Sequence, residues 1–153
     1  ASWYYKNKHR NLSFLKNPLF AIGGHGFLHK RPLNQDYTEQ RGDIIACLDS
    51  LKLEIGIKPN RYRVPYGKPN EDTINIFREF NLKCASWAGH VFDKTDLEGD
   101  AVDDKAFFYL KHFTIPGDIL IFHINGEGIN TLATLKKACN RAKTNGFKFK
   151  KLP

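Results

Sequence analysis

Two histidines stand four residues apart in Gly23-Gly24-His25-Gly26-Phe27-Leu28-His29. On a helical turn this spacing puts both imidazoles on one face, where they can share a divalent metal. Two partly exposed loop histidines would read the same way, so the pair alone leaves both readings open. Gly26 stands where a zinc-protease helix would carry glutamate, which excludes that motif. A second cluster is Arg61-Tyr62-Arg63-Val64-Pro65-Tyr66-Gly67. Proline fixes one dihedral and forces an extended residue before it. Such a turn can aim a backbone N–H and an arginine into one cleft, or be a plain strand-to-turn junction with a surface arginine. The third candidate is His123, which closes the apolar run Ile119-Leu120-Ile121-Phe122. Histidine exchanges a proton near neutral pH better than any other side chain. The alternative is a core histidine satisfied by a backbone partner.

The elements that must position these residues alternate between strand and helix. Strands are expected at Ser2 to Tyr5, Leu19 to Ile22, Arg61 to Val64, Leu82 to Ala88, Asp118 to Ile124 and Phe147 to Leu152. Asp118 to Ile124 is apolar on both faces, as a covered parallel strand requires. Helices are expected over Asp36 to Ile55, Asn70 to Phe80, Asp103 to His112 and Thr131 to Asn145. Asp36 or Thr38 can cap the first, Asn70 the second, and Gly146 can end the last. Ile44, Leu48, Leu51 and Ile55 form the apolar stripe of the first, Ile74 and Phe77 that of the second. The alternation argues for an α/β fold of mainly parallel strands with crossover helices. In such folds sites gather at the C-terminal ends of strands, which is where the three candidate segments fall.

The 153 residues are 41% apolar, which suits one folded domain over residues 1–153 rather than a disordered chain. No apolar run reaches the roughly 20 residues that a membrane span needs. The net charge is +8, with Lys136, Lys137, Arg141, Lys143, Lys148, Lys150 and Lys151 near the end. A solvated helix face and an alternating strand account for that charge. No aromatic-interleaved motif accompanies it, so nucleic acid is not an expected partner. Cys47, Cys84 and Cys139 are widely spaced without a CxxC; they read as buried free thiols. There is no methionine, and Trp3-Tyr4-Tyr5 reads as strand, so residues before Ala1 are expected to be missing.

Taken together and in this order, the three segments resemble carbohydrate esterase family 4, the polysaccharide deacetylases. The matching features are His25-x-x-x-His29, Arg63-Val64-Pro65-Tyr66, the Trp87 region, and Ile121-Phe122-His123 before the closing Gly146-Phe147-Lys148-Phe149. The resemblance implies a distorted (β/α) barrel, incomplete here because its first strand or strands are absent. It implies metal-dependent hydrolysis of N-acetyl groups on an amino-sugar polysaccharide. His25 and His29 would hold a divalent metal, usually zinc. Arg63 would orient the catalytic carboxylate, and the Tyr66 N–H would help hold the oxyanion. His123 would protonate the departing amine, and Asp93 would polarise His123. Pro65, Trp87 and Ile121 would contact substrate, with Ile121 lining the acetyl pocket. A secreted or cell-envelope location would fit the family.

The departures are specific. The family's first motif has two adjacent aspartates, one the general base and one the third metal ligand, and nothing here matches it. Asp103-Asp104 lies between the fourth and fifth motifs and is a poor substitute. Gly26 replaces Ser or Thr, a mild change, and Lys94 follows Asp93 where Trp is expected. The aspartate pair is therefore expected upstream of Ala1. The alternative is a non-catalytic member that binds glycan or metal.

Overall fold

The structure is a computed structural model and describes residues 15, 17–18, 20–90, 115–123 and 131–150. The chain forms two compact units, residues 1–86 and 87–153. The strands expected at Ser2 to Tyr5 and the helix expected at Asp103 to His112 lie outside the described residues.

In the first unit, helix α1 spans Tyr37–Ile55. Asp36 rather than Thr38 caps it: its Oδ1 accepts from the Glu39 N–H at 2.8 Å, while Glu39 Oε2 accepts from the Asp36 N–H at 3.1 Å. This reciprocal box satisfies two otherwise orphaned donors. Strand β1 (Arg61–Tyr62) runs parallel to β2 (Lys83–Cys84), with Arg61 opposite Lys83 and Tyr62 opposite Cys84. Between them helix α2 spans Glu71–Glu79, capped by Asn70, whose Oδ1 accepts from the Thr73 N–H at 3.0 Å. A parallel pair needs such a crossover.

Ile44 and Cys47 from α1, Tyr62 and Val64 from the β1 segment, and Ile76 and Phe77 from α2 form the buried core. Phe77 meets the Tyr62 ring edge-on at 5.2 Å. Ile76, not Ile74, is fully buried on α2. Thr73 takes the remaining inward place and donates its hydroxyl to Gln40 Oε1 at 2.7 Å. Gln40 in turn donates to the Pro32 and Gln35 carbonyls at 3.3 and 3.2 Å. A buried amide with its partners supplied is stable, and here it ties the turn after His29 to both helices.

The strand expected at Leu19 to Ile22 is reduced to one parallel bridge, Gly24 to Tyr62. The Gly24 N–H donates to the Arg61 carbonyl at 2.9 Å, and the Arg63 N–H donates to the Gly24 carbonyl at 2.8 Å. Residues 20–22 make no ladder. The expected strand from Leu82 to Ala88 is likewise split: β2 ends at Cys84, and β3 begins at Gly89.

In the second unit β3 (Gly89–His90) pairs parallel with β4 (Leu120–Ile121), Gly89 opposite Leu120 and His90 opposite Ile121. The Ala88 N–H extends the pairing by donating to the Ile119 carbonyl at 3.0 Å. Helix α3 spans Thr131–Thr144. It closes with Gly146 N–H on the Lys143 carbonyl and Phe147 N–H on the Ala142 carbonyl, the bonds of a Schellman motif. Residues 147–150 form no strand, and Phe149 is 61% exposed, so the expected closing strand is absent from the described residues. Alternating apolar and basic residues could not pair without a neighbour to bury the apolar face. The cysteines also differ from expectation: Cys47 is buried, Cys139 half-buried and Cys84 exposed.

A methyl group at Gly24 would meet Tyr62 Cδ2 at 2.4 Å, against a ring the core holds fixed. Gly24→Ala is expected to lower stability by about 1–3 kcal/mol, read by urea denaturation. Gly42, inside α1 with open space around its Cα, gives the opposite sign. Gly42→Ala is expected to raise stability by about 0.5–1 kcal/mol in the same measurement.

Candidate functional site

The site grows from the bridge at Gly24. Once Gly24 pairs with β1, the next residue, His25, is set beside Arg63. Its Nδ1 lies 2.7 Å from the Arg63 carbonyl oxygen. A carbonyl only accepts, so Nδ1 carries the proton and Nε2 keeps its lone pair, the tautomer a metal ligand needs. Burial disfavours the charged ring and lowers the His25 pKa to about 4; the Arg63 carbonyl opposes this, while the charges of Arg63 and His29 add to it. Neutral His25 is therefore the form present at neutral pH.

His29 returns to the same place. Its ring centroid is 4.9 Å from that of His25, edge to face. The residues do not form a helical turn: Gly26 and His29 both have left-handed backbone, with φ 75° and 56°. The loop geometry, not helical periodicity, brings the imidazoles together. Arg63 is itself half-buried, and desolvation lowers its pKa. After it, Pro65–Gly67 forms a single 3-10 turn in which Tyr66 is left-handed, with φ 61°. Left-handed backbone costs a non-glycine residue about 1–2 kcal/mol. Such outliers concentrate at functional sites. The Tyr66 ring, 47% exposed, lies 5.0 Å from His29 and carries the Arg31 guanidinium 4.3 Å from its centroid.

The first unit thus brings together His25, His29, Arg63, Pro65 and Tyr66. Trp87, Ile121 and His123 belong to the second unit, where Ile121 is buried on β4 and Trp87 and His123 are half-buried. Asp93 and Asp103-Asp104 lie outside the described residues. Among the described residues no third histidine, cysteine or carboxylate joins His25 and His29 in a metal-holding group. The donor tautomer and neutrality of His25 fit a metal ligand; the donor set seen here is two imidazoles.

Sequence reasoning missed Asp43. Its Oδ2 accepts from the Phe27 N–H at 3.0 Å and its Oδ1 from the Leu28 N–H at 2.7 Å. The available signal was a carboxylate directly before Ile44, on the shoulder of the apolar stripe of α1. It missed Arg31 as well, because a cation next to Lys30 in a loop reads as solvated surface.

The polysaccharide deacetylase family matches residues 3–85, more than half of the chain and the segment that holds both histidines and the Arg63 to Tyr66 turn. The chain belongs to the polysaccharide deacetylase family. Among solved structures it is similar to a family 4 carbohydrate esterase from Streptomyces lividans, at 16% identity and TM-score 0.77, over 99% of this chain and 76% of that one. A CE4 family pseudoenzyme from Bacillus anthracis is similar at 19% identity and TM-score 0.77, over 95% of this chain and 49% of that one. The peptidoglycan deacetylase PdaC from Bacillus subtilis is similar at 19% identity and TM-score 0.70, over 95% of this chain and 67% of that one. The chain therefore spans about half the length of the Bacillus anthracis protein. These likenesses establish the α/β fold of the family 4 esterases. No curated protein matches the sequence.

The lowered His25 pKa has a definite sign for this family member. The folded value lies below the ordinary 6.5, so the unfolded chain binds more protons as pH falls from 6.5 to about 4. The stabilisation is complete above that window and is lost through it, by about 3 kcal/mol at one pKa unit per ~1.4 kcal/mol. Urea denaturation of the metal-free protein at falling pH is expected to show this loss. His25→Asn, which keeps a donor for Arg63 but does not titrate, is expected to lack that part of it.

Proposed function

We propose that this chain is the metal-dependent catalytic part of a deacetylase acting on N-acetylated amino-sugar polysaccharide. The observation that carries the reading is the His25–His29 pair, with His25 Nδ1 tied to the Arg63 carbonyl. The fold proposed for the whole is a distorted (β/α) barrel, and the location is secreted or in the cell envelope. No helix of the described residues is long and apolar enough to cross a membrane.

His25 and His29 would hold a divalent metal, with zinc the natural choice for imidazole donors. When bound, the metal would supply Lewis-acid polarisation of the acetyl carbonyl and activation of a water. His25 contributes a neutral ring whose orientation is fixed before any metal arrives. Arg63, partly desolvated, orients the catalytic carboxylate, an aspartate expected upstream of Ala1 that also serves as base. The Tyr66 backbone N–H donates to the oxyanion, a role whose loss typically costs on the order of 10²–10³ in rate. His123 gives its proton to the leaving nitrogen, with Asp93 the aspartate that polarises it. Pro65 and Trp87 contact the sugar, and Ile121 lines the acetyl pocket.

A second reading is a non-catalytic member that keeps the fold and binds glycan or metal. The two-imidazole donor set among the described residues favours it, since catalytic zinc sites use three protein ligands.

Zinc content and acetate release separate these readings. Stoichiometric zinc is expected in the purified protein and is expected to vanish in a His25→Ala, His29→Ala variant; zinc retained by that variant would place the site elsewhere. Acetate release from chitin oligomers by the full-length protein is expected to fall about 10²–10⁴-fold in His123→Ala. Zinc without any acetate release from the unaltered full-length protein would leave the non-catalytic reading.

A further inference from the structure

We infer that Asp43 is the positioning residue of the histidine pair, and that Gly26 is the void that admits it. Three residues separate His25 from His29, and Asp43 holds the N–H groups of two of them. One carboxylate oxygen takes Phe27 at 3.0 Å and the other takes Leu28 at 2.7 Å. A charged acceptor bound by two backbone donors is stronger and more directional than a neutral contact. These bonds span 16 and 15 residues of sequence, so they fix the loop to helix α1 and not to itself.

The carboxylate has a rigid base. Asp43 precedes Ile44 on α1, and Ile44 and Cys47 are buried in the core. The loop gains from that anchor because His29, a non-glycine residue, is held in left-handed backbone. Gly26 and His29 are both left-handed, and the turn they make leaves the Phe27 and Leu28 N–H groups on the side of α1. Space is the second constraint. A Cβ at position 26 would sit 3.1 Å from Asp43 Oδ2 and 3.0 Å from Pro65 Cγ. A side chain at 26 would therefore push Asp43 Oδ2 and Pro65 Cγ back by a few tenths of an ångström, on left-handed backbone that favours glycine. The glycine, a mild departure when read from the sequence, thus suits the loop as built. The 4.9 Å spacing of the two imidazoles depends on this arrangement. The role toward metal rests on the function proposed above; the role in holding the loop does not.

The test compares Asp43→Asn and Gly26→Ala with Asp36→Ala, which weakens the N-terminus of the same helix away from the loop. Asparagine is isosteric but must turn its NH₂ toward one of the two N–H donors. Amide hydrogen exchange at Phe27 and Leu28 is expected to speed up markedly in the first two variants, relative to core amides, and not in Asp36→Ala. Co²⁺ affinity, read from the visible spectrum during titration, is expected to fall about 10–100-fold in the first two, as outer-shell changes do. Unchanged exchange at both amides in Asp43→Asn would overturn the inference. An equal loss of Co²⁺ affinity in Asp36→Ala would overturn it too, because affinity would then follow overall stability. Should the unaltered protein bind no Co²⁺, the metal reading fails, and the exchange arm alone still decides whether Asp43 holds the loop.

Discussion

The close approach of the Gly24 backbone to the Tyr62 ring is the constraint on which the first unit depends. Tyr62 is 2% exposed and wedged between Phe77 and the α1 side chains, so its ring offers a fixed wall. A glycine is the only residue that can approach it closely enough for the Arg61 carbonyl and the Arg63 N–H to be satisfied from one residue. That single parallel bridge places His25 against the Arg63 carbonyl. The tautomer of His25 follows from that one approach; its low pKa comes from burial, which the Arg63 carbonyl opposes.

A second layer of constraint comes from α1. Its capping box fixes where the helix starts, and Ile44 and Cys47 fix which face turns inward. The polar residues beside that face then reach outward to the loops. Gln40 holds the turn at Pro32 and Gln35, and Asp43 holds Phe27 and Leu28. The loop around His29 is thus tied before and after by one helix. A backbone with left-handed residues at 26, 29 and 66 keeps its shape because rigid elements over-determine it.

Part of the candidate site is legible as residue types in order. His25, His29, Arg63, Pro65 and Tyr66 stand out by spacing and company, and the first unit brings them together. The helical route to the histidine pair was wrong in its geometry, because Gly26 and His29 take a conformation that periodicity cannot express. Strand extents were overread for a related reason. The apolar runs at Leu19 to Ile22 and Leu82 to Ala88 have strand composition, but pairing needs a partner in register, and here it is confined to Gly24 and Lys83–Cys84.

By itself the sequence determined the α-helices of the described residues, the Asn70 cap, the parallel α/β character and the family. These rest on local rules: a capping box within four residues, an apolar stripe at helical spacing, a motif order along the chain. Only the tertiary structure decided which nitrogen of His25 carries its proton, why glycine suits position 26, and that Asp43 reaches a loop 15 residues away. Those facts arise where distant segments meet, and the energy of a contact between them is not written in the composition of either.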